Sequence, residues 1–198
     1  MCVRARNAFV VLLALVSGLA VPVSAEQTRW SRVYLPNSMA GTALEWALDG
    51  AVEWLENPSC RAVFSDFADD NGVPLDQQLA KLGVDEATYF EWVVFRDGSS
   101  MRQCDPPRRI MFTARGHRVV FVCRRRAEEL WLADRRQLRA MVIHEVLHTL
   151  GLGENPPTSS EITARVIERC DRGDATVRSI SSADNRASRL LRRAAQHP

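Results

Sequence analysis

The sequence predicts an α+β fold, a single domain in which a small β-sheet packs on one chemistry-bearing helix, with disulfides as staples. Three observations lead there. Apolar residues recur at 3.6-residue spacing in several segments, as amphipathic helices require. Three short apolar runs, residues 90–95, 110–114 and 119–123, have the length of strands and are bounded by turn residues. Once Cys2 is set aside, the cysteines are Cys60, Cys104, Cys123 and Cys170, an even number that suits two disulfides.

Residues 1–25 have the pattern of a secretory signal. Arg4 and Arg6 supply the positive start, residues 9–20 the apolar stretch, and Val23-Ser24-Ala25 a small-residue cleavage site. The apolar stretch is short for a membrane span and ends at Pro22. An exported chain is therefore expected, secreted or periplasmic, with no stable membrane insertion after cleavage. The signal holds two arginines and no acid, so the remainder balances 24 basic against 24 acidic residues. That neutrality offers no electrostatic footprint for nucleic acid, and none is expected as a partner.

Residues 26–170 make up the expected domain. Asn37-Ser38 can cap a helix running to about Glu56, with Leu44, Ala47, Ala51 and Leu55 as its buried stripe and Trp46 and Trp54 packing nearby. Asn57-Pro58 ends it, and a short helix is expected over residues 60–67. Asp69-Asp70-Asn71-Gly72 reads as a turn, since it lacks the alternating oxygen ligands of a calcium loop. Residues 74–82 form a helix closed by Gly83. A buried strand is expected over 90–95, turning at Asp97-Gly98. Strands 110–114 and 119–123 meet at a tight turn through Arg115-Gly116-His117, which leaves His117 exposed. Arg124-Arg125-Arg126 reads as a solvated connection.

Asp134 then opens a helix, with Gln137 placed as in a capping box and Leu138, Met141, Val142, Val146 and Leu150 as apolar flank. Gly151 ends it, Glu154-Asn155-Pro156-Pro157 turns the chain, and Ser159 or Ser160 caps a final helix over 161–170. Cys104–Cys123 would close the base of the hairpin, and Cys60–Cys170 would tie an early helix to this last one. Residues 171–198, with six Arg against three Asp, read as a flexible basic tail.

The chemistry concentrates in His144-Glu145-Val146-Leu147-His148. Residues four apart on a helix lie one above the other, so the two imidazoles can meet one Zn²⁺. Glu145, beside the first, is placed to take a proton from a water that the metal activates. Catalytic zinc sites usually take three protein ligands. No histidine follows before His197, so a carboxylate is the natural third.

The run His144 to Glu154, with Gly151 between, resembles the metzincin branch of the zincin zinc peptidases, whose pattern is HExxHxxGxxH with Asp last in a few members. That resemblance implies a zincin-like fold and a metal set of His144, His148 and Glu154, with Gly151 as the turn that returns the third ligand. Two departures stand out: the last ligand is Glu, and no methionine follows His148. In the gluzincin branch the third ligand is a Glu on the following helix, a part open to Glu161 or Glu168. The resemblance further implies a zinc metallopeptidase, Glu145 as general base, a peptide or protein substrate and a monomer. Tyr34, Tyr89, His117 and several arginines are candidates to stabilise an oxyanion. Another zinc hydrolase, such as a cell-wall amidase, would use the same geometry. A disulfide-stapled binding protein with a structural or vestigial zinc site is the competing class.

Overall fold

A computed structural model describes residues 32–35 and 38–171, so the expected signal over 1–25, Asn37 and the expected tail beyond Asp171 lie outside the described residues. The fold is α+β with one four-stranded mixed sheet. Strand β1 (Val33–Tyr34) leads to helix α1 (Met39–Leu55), where the Ser38 side chain accepts from the Gly41 amide. Leu44, Ala47, Ala51 and Leu55 are all buried, as their spacing requires, and so is Trp54. Asn57 caps the short helix α2 (Pro58–Arg61) by accepting from Ser59 N at 2.9 Å, and α3 (Val63–Asp66) follows. Asp69 shapes the next turn by accepting from the amides of Asn71 and Val73, both at 2.9 Å. Helix α4 (Leu75–Leu82) ends at Gly83, whose φ of 71° is the left-handed region that glycine enters without strain.

The strand expected over 90–95 begins later. Asp85 accepts from Thr88 N at 2.7 Å and starts a helix, α5 (Glu86–Phe90), that buries Tyr89 and Phe90. Strand β2 (Val94–Asp97) takes only the end of the apolar run. A continuous apolar run has no period to separate a buried helical turn from a strand, so the local cap decided the outcome.

Strands β3 (Met111–Thr113) and β4 (Val119–Val122) pair antiparallel through the turn at Gly116, φ 74°. Strand β4 also pairs with β2 in parallel, and β2 with β1 likewise, giving the order β1-β2-β4-β3. The arginine run is not a connection. It is the first turn of helix α6 (Arg124–Ala133), steadied by Arg126–Glu129 at 2.8 Å and by Arg124–Asp97 at 3.2 Å. Arginine is a good helix former, and one buried residue, Ala127, leaves the helix almost no apolar stripe to read. Glu128 on α6 accepts from Ala40 N at 2.9 Å, satisfying a free amide at the start of α1.

Helix α7 (Arg135–Thr149) is the centre of the molecule. Asp134 caps it by accepting from Gln137 N at 3.0 Å. It packs on α1 and α6 and against β3 and β4. Leu138, Ala140, Val142, Ile143, Val146 and Leu147 are wholly buried. The last helix, α8, occupies residues 159–171 of the described chain. Its cap is Thr158, not a serine. Thr158 Oγ1 accepts from Glu161 N at 3.3 Å while Glu161 accepts from Thr158 N at 2.7 Å, a reciprocal capping box.

Two disulfides join Cys60 to Cys170 and Cys104 to Cys123, a pattern that suits folding in an oxidising compartment. Among the described residues no helix is long and apolar enough to cross a membrane. The first disulfide spans 110 residues and the second 19. Loop-closure entropy then predicts that replacing the long-range pair by serines costs about 5 kcal/mol, against about 3 kcal/mol for the short one. Equilibrium denaturation of the two variants measures this order, and a larger loss from the Cys104–Cys123 variant would contradict it.

Candidate metal centre

The helical spacing of His144 and His148 brings their Nε2 atoms to 3.0 Å. Glu154 Oε1 stands 3.6 Å from His144 Nε2 and 3.3 Å from His148 Nε2. These three side chains form a group whose ligand atoms all lie within 4.8 Å of one another. Both imidazoles are buried, whereas the Glu154 side chain is 42% exposed, so the group opens to solvent on the carboxylate's side.

The chain returns to the histidines because α7 cannot continue past Leu150. Gly151 has a φ of 110°, closed to other residues, and its amide donates back to His148 O at 3.0 Å. Leu152 is then buried and forms an antiparallel bridge with Asp69. From the sheet side, the Gly116 amide at the hairpin tip donates to the same His148 carbonyl at 2.9 Å.

Two hydrogen bonds set the histidine tautomers. His148 Nδ1 lies 2.8 Å from the Leu152 carbonyl, which can only accept, so Nδ1 carries the proton. Thr163 on α8 donates its hydroxyl proton to Ser159 O at 3.0 Å and thus accepts from His144 Nδ1 at 2.9 Å. Both Nε2 lone pairs therefore face the carboxylate. Burial pushes the His144 pKa down, which keeps that ring neutral. The imidazoles beside it, His144 first and then His148, hold the Glu154 carboxyl down at about 2, with a Ser159 hydrogen bond assisting.

Three electron-pair donors facing one another repel unless a cation or a proton lies between them. The donor set of two imidazoles and a carboxylate is one that Zn²⁺ takes. Its separations of 3.0, 3.3 and 3.6 Å bracket the roughly 3.3 Å edge of a tetrahedron with bonds of about 2.0–2.1 Å. The residues present fit the metal.

Glu145, next in the helix after His144, is buried. Burial, then the nearby charge of Glu154, raises its pKa to about 8, against the pull of Arg109. Glu161 and Glu168 are not brought to the imidazoles. Glu161 is held in the Thr158 capping box, and Glu168 lies 3.7 Å from Arg165. Of the oxyanion candidates, Tyr89 is buried with its hydroxyl donating to Thr149 O, Tyr34 lies under Arg96, and His117 is exposed at the hairpin tip. Arg109 is the arginine whose charge reaches Glu145. The cavity lined by Trp46, Asp49, Glu53, Glu56 and Arg139 contains no residue of the histidine cluster.

Neither Thr163 nor the Leu152 carbonyl is announced by the amino-acid sequence. A threonine inside a helix carries no pattern, and a backbone acceptor has no residue type at all. Comparison with known protein families, with curated proteins and with solved structures finds no match to this chain.

The state of Glu145 makes metal-free stability depend on pH. Its folded pKa of about 8 lies above the ordinary 4.5, so the fold holds a proton that the unfolded chain releases. This contribution is full below about pH 4.5 and is lost as pH rises through 8. Glu145→Gln removes the dependence. With chelator present, the variant should melt above the wild type at pH 8 and close to it at pH 4. Equal melting temperatures at pH 8 would contradict a buried carboxyl that holds its proton.

Proposed function

We propose that this protein is an exported zinc-dependent hydrolase of the zincin type, most directly a metallopeptidase. The observation that carries the reading is the triangle of His144, His148 and Glu154 with the buried Glu145 carboxyl one residue from its first corner. The metzincin-like run from His144 to Glu154 supports the peptidase class. The signal-like residues 1–25 and the two disulfides support export.

The Nε2 atoms of His144 and His148 and a Glu154 oxygen would hold the ion. Zn²⁺ bound there would supply Lewis acidity, acidifying a water and polarising a scissile carbonyl. Glu145 accepts the proton of the attacking water and delivers it to the leaving amine. Leu152 O and Thr163 Oγ1 hold both rings with Nε2 toward the reacting centre.

The mature protein should bind about one zinc per chain, with zinc lost from the His144→Ala/His148→Ala variant. Glu145→Gln should retain the metal and lose hydrolysis of a mixed peptide library. Glu154→Ala should lose most of its zinc affinity, while Thr163→Val should lose about 10–100-fold. Metal analysis and competitive titration read these outcomes. Stoichiometric zinc without turnover by the wild type would favour the disulfide-stapled binding protein, and full turnover by Glu145→Gln would remove its role as base.

A further inference from the structure

The exposed ion pair between Asp70 and Arg115 lies far from both imidazoles in sequence, yet it spans the segment that presents Glu154. Asp70 belongs to the turn after α3, and Arg115 to the β3–β4 hairpin. The paired side chains lie against the backbone of Gly153. A Cβ added there would meet Asp70 Oδ1 at 3.0 Å and the Arg115 Cζ and Nη2 atoms at 3.1 Å. The two side chains thus close over the residue that directly precedes Glu154.

Each half of this closure is itself anchored. Asp69 pairs with Leu152 through backbone, and its carboxylate accepts from Asn71 N, Val73 N and Gln78 Nε2. The hairpin is tied to the end of α7 by Gly116 N donating to His148 O at 2.9 Å. The returning strand is therefore held on both flanks at Leu152 and Gly153. Glu154 follows outside any helix or strand, with a half-exposed side chain whose own contacts are the two imidazoles and Ser159. Such an isolated surface ion pair contributes little to global stability. Its position over Gly153 gives it another use.

The geometry points to Asp70 and Arg115 as positioning residues, a clasp that fixes the backbone at Gly153 so that Glu154 reaches the two imidazoles. This inference rests on the metal reading of His144, His148 and Glu154. The clasp acts on the third corner alone, because the histidines are fixed by α7, Leu152 O and Thr163.

The test is a zinc titration of the mature protein against a chromophoric chelator. It compares the wild type, Asp70→Asn, Arg115→Gln, Gly153→Ala, Glu154→Ala and the double variant Asp70→Asn/Glu154→Ala. Asp70→Asn, Arg115→Gln and Gly153→Ala should each weaken zinc binding about tenfold or more, in the range of residues that orient a ligand. Their metal-free melting temperatures should stay at the wild-type value, and the visible bands of the Co²⁺-loaded protein should shift as they do in Glu154→Ala. In the double variant the loss should be no greater than for Glu154→Ala alone, because the clasp works through that side chain. Wild-type affinity in the clasp variants overturns the clasp while leaving the metal reading intact. An equal further loss in the Glu154→Ala background also overturns it, showing general support of the fold. A wild type that binds no zinc overturns the metal reading, and the clasp's role with it.

Discussion

Two imidazoles can be kept inside a close-packed helix interface only if each buried ring nitrogen is either bonded or aimed at something that needs a lone pair. That constraint organises the molecule. The C-terminal half of α7 is buried on nearly every side, so neither His144 nor His148 can turn its polar edge to water. An unsatisfied buried donor would cost about 1–3 kcal/mol. The protein meets this with one acceptor from the chain just after the helix and one from the next helix, Leu152 O and Thr163 Oγ1. The remaining ring atoms are left with lone pairs in a common direction.

The rest of the architecture follows from supplying those acceptors. Leu152 can return only because Gly151 breaks the helix, and it stays because the turn at Asp69 pairs with it. Thr163 can reach only if α8 lies across α7, and Cys170 fastens that helix to α2 through Cys60. The sheet contributes through its hairpin tip, whose Gly116 amide holds the last turn of α7. Elements from three parts of the chain thus converge on one helical turn.

How much of this was legible depends on the range of the interaction. Caps are local and read well: Ser38, Asp134 with Gln137, and the left-handed Gly83 and Gly151 all do what their residue types suggest. The β3–β4 pairing is also local, because Gly116 marks its turn. The parallel pairing of β4 with β2 and of β2 with β1 is set by packing between distant segments, and no short pattern announces it. Helix α6 escaped because it buries little, and α5 because its apolar run lacks a period. At the site, the spacing of His144 and His148 was plain, whereas Glu154, Glu161 and Glu168 stood as rivals. A sign against Glu161 was present in Thr158-Ser159-Ser160-Glu161, a capping-box sequence that commits this carboxylate to the start of α8.

The bond between Cys60 and Cys170 has a consequence for when the site can exist. Helix α8 buries Ile162, Val166 and Cys170, and its far end is fastened to α2 by the disulfide beside the exposed Arg169–Asp66 and Arg136–Asp171 ion pairs. In a reduced chain that fastening is gone, and Thr163 loses the restraint that keeps it against His144. The ring is then free to change tautomer and turn its lone pair away from its neighbours. Closing the bond between Cys60 and Cys170 therefore also decides how His144 presents its ring, which couples the redox state of a remote pair to the geometry of the cluster.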